Sequence, residues 1–211
     1  MDPVVEHIEQ GAGRQTTTAL IVLGAGLSSR FGEKDKLAAR LGGIPLAHHI
    51  LPALQPFSWS SKILVCRRQS SWVEAFSDDG YSIIRNDQPN QGMLGSLKMA
   101  VDQLTEKRLA MICLADMPFV TREHIERLLL LAHSSNGQPV ASRAEEYRGP
   151  PAIFPVAALR QLRGFGEGGA RSLLTNALFV DCPPSQLLDV DTTTALKIAE
   201  NIKKISGDDT N

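Results

Sequence analysis

The hydrophobic pattern of the first two thirds of the chain alternates between short apolar runs and helix-sized segments. Four apolar runs, each bounded by polar or turn-forming residues, predict buried strands at residues 19–23, 63–66, 81–84 and 110–114. Helices are predicted at residues 45–54 and 95–104 and, after an N-cap at Thr121, from 122 to about 133. Because such alternation requires crossover connections, we expect an α/β fold with a mostly parallel central sheet and helices on both faces.

The last third of the chain is less regular. Strands or extended segments are predicted at residues 139–142, 152–154, 179–182 and 187–190, and helices at 156–162, 169–174 and 192–205. The sequence contains no internal repeat and no low-complexity segment. We therefore predict one domain at residues 18–206, preceded by a polar, disordered N-terminal extension at 1–17 and followed by a frayed C terminus at 207–211.

Composition narrows the range of partners. The 211 residues are 43% hydrophobic and 21% charged with a net charge of −1, which is typical of a soluble globular protein and leaves no electrostatic footprint for nucleic acid. No apolar run approaches the roughly 20 residues of a membrane span. The three cysteines form neither a disulfide framework nor a zinc spacing. We expect a cytoplasmic protein that binds neither nucleic acid nor a membrane.

Two glycines follow the first predicted strand, in the segment Gly24-Ala25-Gly26. Glycine lets backbone N–H groups approach a phosphate closely, and the loop continues to Arg30 and Lys36, whose charges suit a triphosphate. A tight strand-to-helix turn with solvated charges is the alternative on spacing alone. No Gly-Lys-Ser/Thr of a P-loop is present, and Ser29 stands where a dinucleotide fingerprint needs its third glycine, which disfavours a nicotinamide-dependent oxidoreductase.

Three aspartates lie at the ends of predicted strands or extended segments. Asp116 comes just past the fourth strand, at the sheet edge where α/β proteins bind ligands, and it either braces the next turn or holds a divalent ion against a phosphate. Asp189 and Asp191 alternate along an extended segment, so both side chains are expected on one side of it. Capping of the last helix by Asp191 or Thr192 is the alternative. Magnesium commonly takes one or two protein carboxylates, so Mg²⁺ suits the metal-binding interpretation of these aspartates.

Three segments, in this order along the chain, resemble the molybdenum cofactor nucleotidyltransferases, the MobA/MocA-like group. They are residues 23–32 with Asp35-Lys36, residues 114–118 and residues 189–192. The resemblance implies a nucleotide-diphospho-sugar-transferase-like (Rossmann-like) fold in a single domain. It also implies Mg²⁺-dependent transfer of a nucleoside monophosphate from an NTP to the terminal phosphate of molybdopterin, with release of pyrophosphate.

The same resemblance implies roles for individual residues of this chain. Catalytic roles fall to Lys36, Arg30 and Asp116, and the Mg²⁺ ligands would be Asp116 and Asp191. The residues implied in nucleotide binding are Leu23, Gly24, Ala25, Gly26, Ser28, Arg30, Lys36, Gly92 and Ser96. The residues implied in acceptor binding are Gly149, Arg171 and Asp189, the last of which is also a weaker candidate for the metal.

Further segments are similar to the cytidylyl branch of this group. They are residues 90–97, 148–154 and 166–171, and the aspartates at 189 and 191 favour the same branch. CTP is therefore the expected donor, with GTP or a different phosphorylated acceptor as alternatives. Two positions depart from the pattern of the group: Gly24 stands where alanine is usual, which should loosen the loop, and Pro150 replaces a histidine, which removes a donor near the acceptor.

A non-catalytic molybdenum cofactor-binding accessory protein is the alternative from another functional class. The presence of Lys36, Asp116 and Asp191 disfavours it, because a carrier has no need of a site for a metal and phosphates. If the chain is the enzyme, a molybdoenzyme that receives the product is a candidate partner.

Overall fold

The computed structural model describes residues 18–26, 31, 35–67, 70–105 and 108–208. The predicted N-terminal extension and residues 209–211 lie outside these ranges, and so do Ser28 and Arg30 of the predicted nucleotide site.

A seven-stranded sheet forms the centre of the fold. The strands along the chain are β1 (Thr18–Gly24), β2 (Arg40–Leu41), β3 (Ile44–Pro45), β4 (Lys62–Cys66), β5 (Ser82–Arg85), β6 (Leu109–Leu114), β7 (Val140–Ala144), β8 (Tyr147–Pro155) and β9 (Leu178–Asp181). Their order across the central sheet is β5-β4-β1-β6-β8-β7-β9, while β2 and β3 pair separately. Within the central sheet only β8 runs antiparallel to its neighbours, β6 and β7, so the expectation of a mostly parallel sheet is confirmed.

β1 lies at the centre of the sheet because it is apolar on both faces. Residues 18–22 are all buried, with 3% exposure or less. Successive residues of a strand point to opposite faces, so both faces of the sheet are covered at this strand. This is the pattern of a parallel sheet whose crossover helices lie on its two sides.

Six α-helices accompany the sheet within the described residues. They are α1 (Leu51–Leu54), α2 (Ser71–Asp78), α3 (Gly92–Asp102), α4 (Arg122–Ser134), α5 (Val156–Leu159) and α6 (Thr193–Asp208). α4 begins where the sequence predicts, because Oγ1 of Thr121 accepts a hydrogen bond from the His124 N–H at 3.3 Å. None of these helices combines the length and the apolar character that crossing a membrane requires.

Several predicted elements differ from those observed. α2 has no counterpart among the predicted helices, although Trp72, Val73 and Phe76 form its buried face. Residues 46–50, predicted as α-helix, form a 3₁₀ turn before the short α1, and the predicted helix at 169–174 is a 3₁₀ turn at Arg171–Asn176. The extended segment predicted at 187–190 begins one residue late, since Leu187 ends another 3₁₀ turn.

The last helix is longer than predicted. α6 continues to Asp208, past the predicted end of that helix at residue 205. Gly207 costs a helix about 1 kcal/mol relative to alanine but still supplies its backbone hydrogen-bonding groups, so it does not have to end the helix.

Candidate active site

The candidate site lies at the carboxyl ends of β1 and β6, the two central parallel strands. The ladder between them continues past β6, where the Ala115 N–H donates to the Leu23 carbonyl at 3.0 Å. The glycine loop after β1 and the Asp116 loop after β6 therefore leave the sheet side by side. This is the edge at which open α/β sheets bind ligands, in agreement with the sequence analysis.

A backbone hydrogen bond brings the segment 189–191 to Asp116. The Val190 N–H donates to the Asp116 carbonyl at 3.0 Å, and the Val190 side chain is fully buried. Asp189 and Asp191, on either side of it, share a site with Asp116, and one carboxylate oxygen from each aspartate lies within 4.8 Å of the others. The structure thus brings together the three aspartates that the sequence singled out.

Lys36 lies between the carboxylates of Asp116 and Asp191. It begins a 3₁₀ turn (Lys36–Ala38) that the Asp35 side chain caps. Its Nζ atom is 2.5 Å from Oδ2 of Asp116 and also donates a hydrogen bond to Oδ1 of Asp191. Burial, at 5% exposure, opposes the charge, but the carboxylates outweigh it and raise the pKa of Lys36 above its ordinary value. Lys36 is therefore a buried ammonium at neutral pH.

The three aspartates carry more negative charge than Lys36 neutralises. Oδ1 of Asp116 and Oδ1 of Asp189 are buried and have no hydrogen-bond partner among the described residues. Burial, reinforced by the neighbouring Asp116, raises the pKa of Asp189 well above that of a solvated carboxyl. Clustered carboxylate oxygens without partners are the donor set that Mg²⁺ and other hard divalent cations prefer. The residues present therefore fit such an ion.

The alternative roles of Asp191 and Asp116 were to cap the last helix and to brace the turn before α4. In the structure, other residues cap both helices. Thr192 caps α6, because its Oγ1 accepts a hydrogen bond from the Ala195 N–H at 3.0 Å. α4, which follows the Asp116 loop, has its own cap in Thr121. Neither helix start requires the carboxylate of Asp191 or Asp116, so both carboxylates are available to the site.

The two glycines of the loop have different surroundings. A Cβ on Gly24 would lie 3.0 Å from Cδ1 of Leu37 and 3.1 Å from the ring of Trp72, so glycine at this position admits two core side chains. This packing gives position 24 a structural reason to be glycine, and the expectation that Gly24 loosens the loop stays a prediction. A Cβ on Gly26 would meet no atom of the described residues within 4 Å. Gly26 is thus the glycine whose backbone is open to a ligand, while Ala25 is buried.

A cavity of about 210 Å³ opens next to the aspartates. Its walls are largely apolar and include Leu23. Gly149, Arg171 and Asp189, which the sequence analysis nominated together for acceptor binding, all line it. The structure therefore assembles these three residues, which are distant in sequence, around one space beside the carboxylate cluster.

Arg148 lines the same cavity and was not nominated from the sequence. One guanidinium nitrogen donates to the carbonyls of Glu145 at 2.5 Å and Tyr147 at 2.8 Å. The guanidinium also lies over the ring of Phe179, 5.6 Å from its centroid. These contacts fix its orientation and, as far as the described part of the chain goes, leave the other guanidinium nitrogens for an anion. The signal available in the sequence was its place directly before Gly149.

The start of α3 is occupied by contacts within the protein. Gly92 has a φ of +69°, and a Cβ on it would lie 2.5 Å from the backbone of Gly166. The Leu94 N–H donates to the Gly166 carbonyl at 2.9 Å. Ser96 is buried and accepts a hydrogen bond from Nδ2 of Asn86 at 2.9 Å. Gly92 therefore packs against the loop at 164–169 and Ser96 binds Asn86, and their predicted contact with a nucleotide stays a prediction.

Comparison with known proteins identifies relatives of the chain. The family model of the MobA-like NTP transferase domain matches residues 20–182. A molybdenum cofactor guanylyltransferase of Pseudomonas putida is 26% identical over 157 residues, which cover 74% of this chain and 79% of that protein.

Two solved structures have the same fold. The molybdopterin-guanine dinucleotide biosynthesis protein A of Archaeoglobus fulgidus superposes with a TM-score of 0.68 at 21% identity, covering 89% of this chain and 99% of that one. Rv0371c of Mycobacterium tuberculosis H37Rv superposes with a TM-score of 0.71 at 19% identity, with the same coverage of 89% and 99%. These superpositions confirm the nucleotide-diphospho-sugar-transferase-like fold predicted from the sequence.

Proposed function

The chain belongs to the MobA-like NTP transferase family, and we propose that it transfers a nucleoside monophosphate from an NTP to the terminal phosphate of molybdopterin. The observation that carries the proposal is the cluster of Asp116, Asp189 and Asp191 around Lys36, beside a cavity that contains Arg148 and Arg171. Nucleotidyl transfer needs this combination of a cation site, an ammonium group and an anion-binding cavity. A cofactor carrier needs only the last of these.

In this reaction the protein has to position the two reacting phosphates and stabilise the charge that develops on them. An oxygen of the acceptor phosphate forms a bond to the α-phosphorus of the NTP, while the bond from that phosphorus to the oxygen bridging to the β-phosphate breaks and pyrophosphate leaves. No general base is needed, because the second pKa of a phosphate monoester is about 6 and the acceptor is already ionised at neutral pH. Holding the two phosphates in line supplies most of the rate enhancement.

The aspartates would hold the metal that this chemistry uses. Asp116 and Asp191 are the proposed ligands of Mg²⁺, and Asp189 can add a third carboxylate oxygen. When bound, Mg²⁺ supplies positive charge to the phosphate oxygens of the nucleotide. Val190, through its hydrogen bond to the Asp116 carbonyl, keeps the carboxylates of both chain segments at one place.

Lys36 and the glycine loop would bind the phosphates of the donor. Lys36 already contacts two of the proposed metal ligands, so its ammonium is within reach of an anion bound to them. Its role is to offset charge on the departing pyrophosphate, for which a mobile point charge is suited. Gly26 offers its backbone to the same phosphates, and Arg30 and Ser28 are proposed to contribute from outside the described residues.

The cavity next to the cluster would bind the acceptor. Its apolar walls suit a planar heterocycle, and Arg148 and Arg171 suit the phosphate that the heterocycle carries. Asp189 lines both the cavity and the metal cluster, which brings an acceptor held there next to the donor phosphates. Pro150, which also lines the cavity, contributes shape but no hydrogen-bond donor.

GTP is the first candidate for the donor and CTP the second. GTP is supported by the relative in Pseudomonas putida, whose name gives it guanylyl transfer. CTP is supported by the similarity of residues 90–97 and 166–171 to the cytidylyl branch and by aspartates rather than asparagines at 189 and 191. The base that is transferred distinguishes the two candidate donors.

Purified protein incubated with molybdopterin, Mg²⁺ and one NTP at a time tests the proposal. We expect release of pyrophosphate only when molybdopterin is present, together with a molybdopterin dinucleotide that carries the base of the NTP supplied. Asp116→Asn should abolish release without loss of folding. If molybdopterin binds but no NTP yields pyrophosphate, the accessory-protein alternative replaces the enzyme.

A further inference from the structure

β8 is irregular where it borders the cavity. Its pairing with β7 matches Ala141 to Ala152 and then Ser142 to Gly149, so Pro150 and Pro151 stand outside the regular register. Prolines donate no backbone hydrogen bond and are confined to edges or bulges of a sheet. The Pro150 carbonyl and the Pro151 carbonyl are therefore held by something other than a regular ladder with β7.

Two side-chain hydroxyls hold these carbonyls. The Tyr147 hydroxyl donates to the Pro150 carbonyl at 2.7 Å, and the Ser142 hydroxyl donates to the Pro151 carbonyl at 2.7 Å. Tyr147 and Pro150 line the cavity, whereas Ser142 is completely buried behind it. The position of the bulge is thus set from the cavity side by Tyr147 and from the core side by Ser142.

Ser142 is in turn oriented by His124 of α4. Nε2 of His124 lies 2.7 Å from Oγ of Ser142. The single hydroxyl proton of Ser142 is donated to a carbonyl, so the serine oxygen accepts the Nε2–H of His124. His124 is 2% exposed, and its Nδ1 atom has no hydrogen-bond partner among the described residues. His124 is therefore neutral, with its proton on Nε2.

We propose that His124 and Ser142 are positioning residues for the acceptor, which act through the Pro151 carbonyl on the bulge that forms one wall of the cavity. The proposal rests on the proposed function, since it assigns the cavity to molybdopterin. Neither residue lines the cavity, so their effect on the acceptor passes through Pro151 and Pro150. We call the hydrogen bonds from His124 to Ser142 and from Ser142 to the Pro151 carbonyl the relay. It follows that loss of the relay weakens acceptor binding and leaves donor binding unchanged.

The competing explanation is that the relay only stabilises the fold. A buried hydroxyl and imidazole that bind each other satisfy their own polar groups, and removing one costs stability wherever the pair lies. Ser135 offers a matched comparison, because it is a buried serine whose Oγ lies 3.0 Å from the carbonyl oxygens of both Ala132 and Gln138, to one of which its hydroxyl donates, at the far end of α4. A purely structural Ser142 should behave like Ser135.

Steady-state kinetics of Ser142→Ala, His124→Leu and His124→Gln, with Ser135→Ala as the control, separate the two explanations. We expect Ser142→Ala and His124→Leu to raise the KM for molybdopterin about tenfold, while kcat and the KM for the NTP stay within about twofold of wild type. His124→Gln keeps a donor at the position of Nε2 and should restore the wild-type KM. Ser135→Ala should leave both KM values unchanged. An unchanged KM for molybdopterin in the first two variants overturns the proposal, as does an equal change in Ser135→Ala.

Amide hydrogen exchange of the free protein tests, without any substrate, whether His124 and Ser142 hold the bulge in place. Exchange at Gly149 and Ala152, which flank the two prolines, should be at least about tenfold faster in His124→Leu than in wild type, with exchange in β1 unchanged. If His124→Leu and wild type exchange at the same rate at Gly149 and Ala152, the proposal is overturned, even if Ser142→Ala proves too unstable for kinetics. If wild type transfers no nucleotide to molybdopterin, the proposed function has failed, and these exchange rates alone decide whether the relay positions the cavity wall.

Discussion

Lys36 and Asp116, separated by 80 residues in sequence, meet through a 2.5 Å contact between Nζ and Oδ2. Asp191 completes the arrangement from a third part of the chain. The ammonium thereby engages two of the carboxylates that we propose as ligands of a divalent cation. Because Lys36 and a metal ion would draw on the same negative charges, we expect them to compete for the aspartates in the absence of nucleotide.

Lys36→Met should separate metal binding from catalysis. Removing the ammonium frees Asp116 and Asp191, so the affinity for Mn²⁺ or Mg²⁺ in the absence of NTP should rise. Turnover should nevertheless fall by about a hundredfold or more, as is usual when a charge that stabilises the transition state is removed. Calorimetric titration with the metal and a pyrophosphate assay measure the two effects. Lys62→Met, which removes a lysine paired with Asp79 away from the site, serves as the control and should leave metal affinity and turnover at wild-type values. Weaker metal binding in Lys36→Met would contradict the competition.

Asparagine substitutions of the aspartates should weaken metal binding to different degrees. Asp116→Asn removes the carboxylate that the other two face, so it should abolish metal-dependent turnover. Asp189→Asn should weaken metal binding less, because burial already raises the pKa of Asp189 and makes its charge the costliest of the cluster to maintain. Titration of each variant with Mn²⁺, followed by paramagnetic resonance, tests this order. Equal loss in both variants would indicate that the three aspartates contribute alike.

Arg148→Gln should reduce acceptor affinity specifically. A charged hydrogen bond to a phosphate contributes about 1.5–3 kcal/mol, so the KM for molybdopterin should rise by about tenfold or more while the KM for the NTP stays constant. Arg143→Gln is the matched control, because Arg143 lies over the same Phe179 ring at 5.6 Å but pairs with Asp181 and does not line the cavity. If both substitutions raise the KM alike, the effect comes from the shared packing on Phe179.

The central strands and the three aspartates could be predicted from the sequence because each follows from a local pattern. β1 and β6 are apolar on both faces, and a carboxylate just past such a strand lies at the ligand edge of an α/β sheet. Asp189 and Asp191 follow from the alternation of side chains along extended backbone. The pairing of Lys36 with these carboxylates joins segments far apart in the chain, and no local pattern reports it.

Other features escaped prediction because they depend on tertiary contacts. From the sequence alone, Gly24 resembles a flexible loop residue. Only the structure shows that Leu37 and Trp72 pack against it. His124 lies in a helix whose apolar spacing suggests only packing, and its partner Ser142 stands on a strand that the prediction assigned no function. Gly92 resembles a ligand-binding glycine in sequence, whereas its positive φ and the nearby Gly166 backbone give it a structural reason to be glycine.

The buried histidine of the relay makes a prediction for stability against pH. Burial, with a smaller contribution from Arg127, lowers the pKa of His124 to about 4 from the value of 6.5 expected for the unfolded chain. Between these two values the unfolded chain binds the proton that the folded protein excludes, so the contribution of neutral His124 is fully present above pH 6.5 and is lost as the pH falls towards 4. From pH 7.5 to pH 4.5 this amounts to about 2 to 3 kcal/mol of unfolding free energy.

Urea denaturation of wild type and His124→Gln at a series of pH values measures that contribution. Glutamine keeps the hydrogen bond to Ser142 but does not titrate, so acidification should destabilise the variant less than wild type, and the difference between their unfolding free energies should change by about 2 to 3 kcal/mol across the interval. His133→Gln is the control, since His133 is exposed on the same helix, and its variant should follow the wild-type profile. Parallel profiles for wild type and His124→Gln would mean that His124 takes up its proton in the folded protein as easily as in the unfolded chain, which would contradict a pKa lowered by burial.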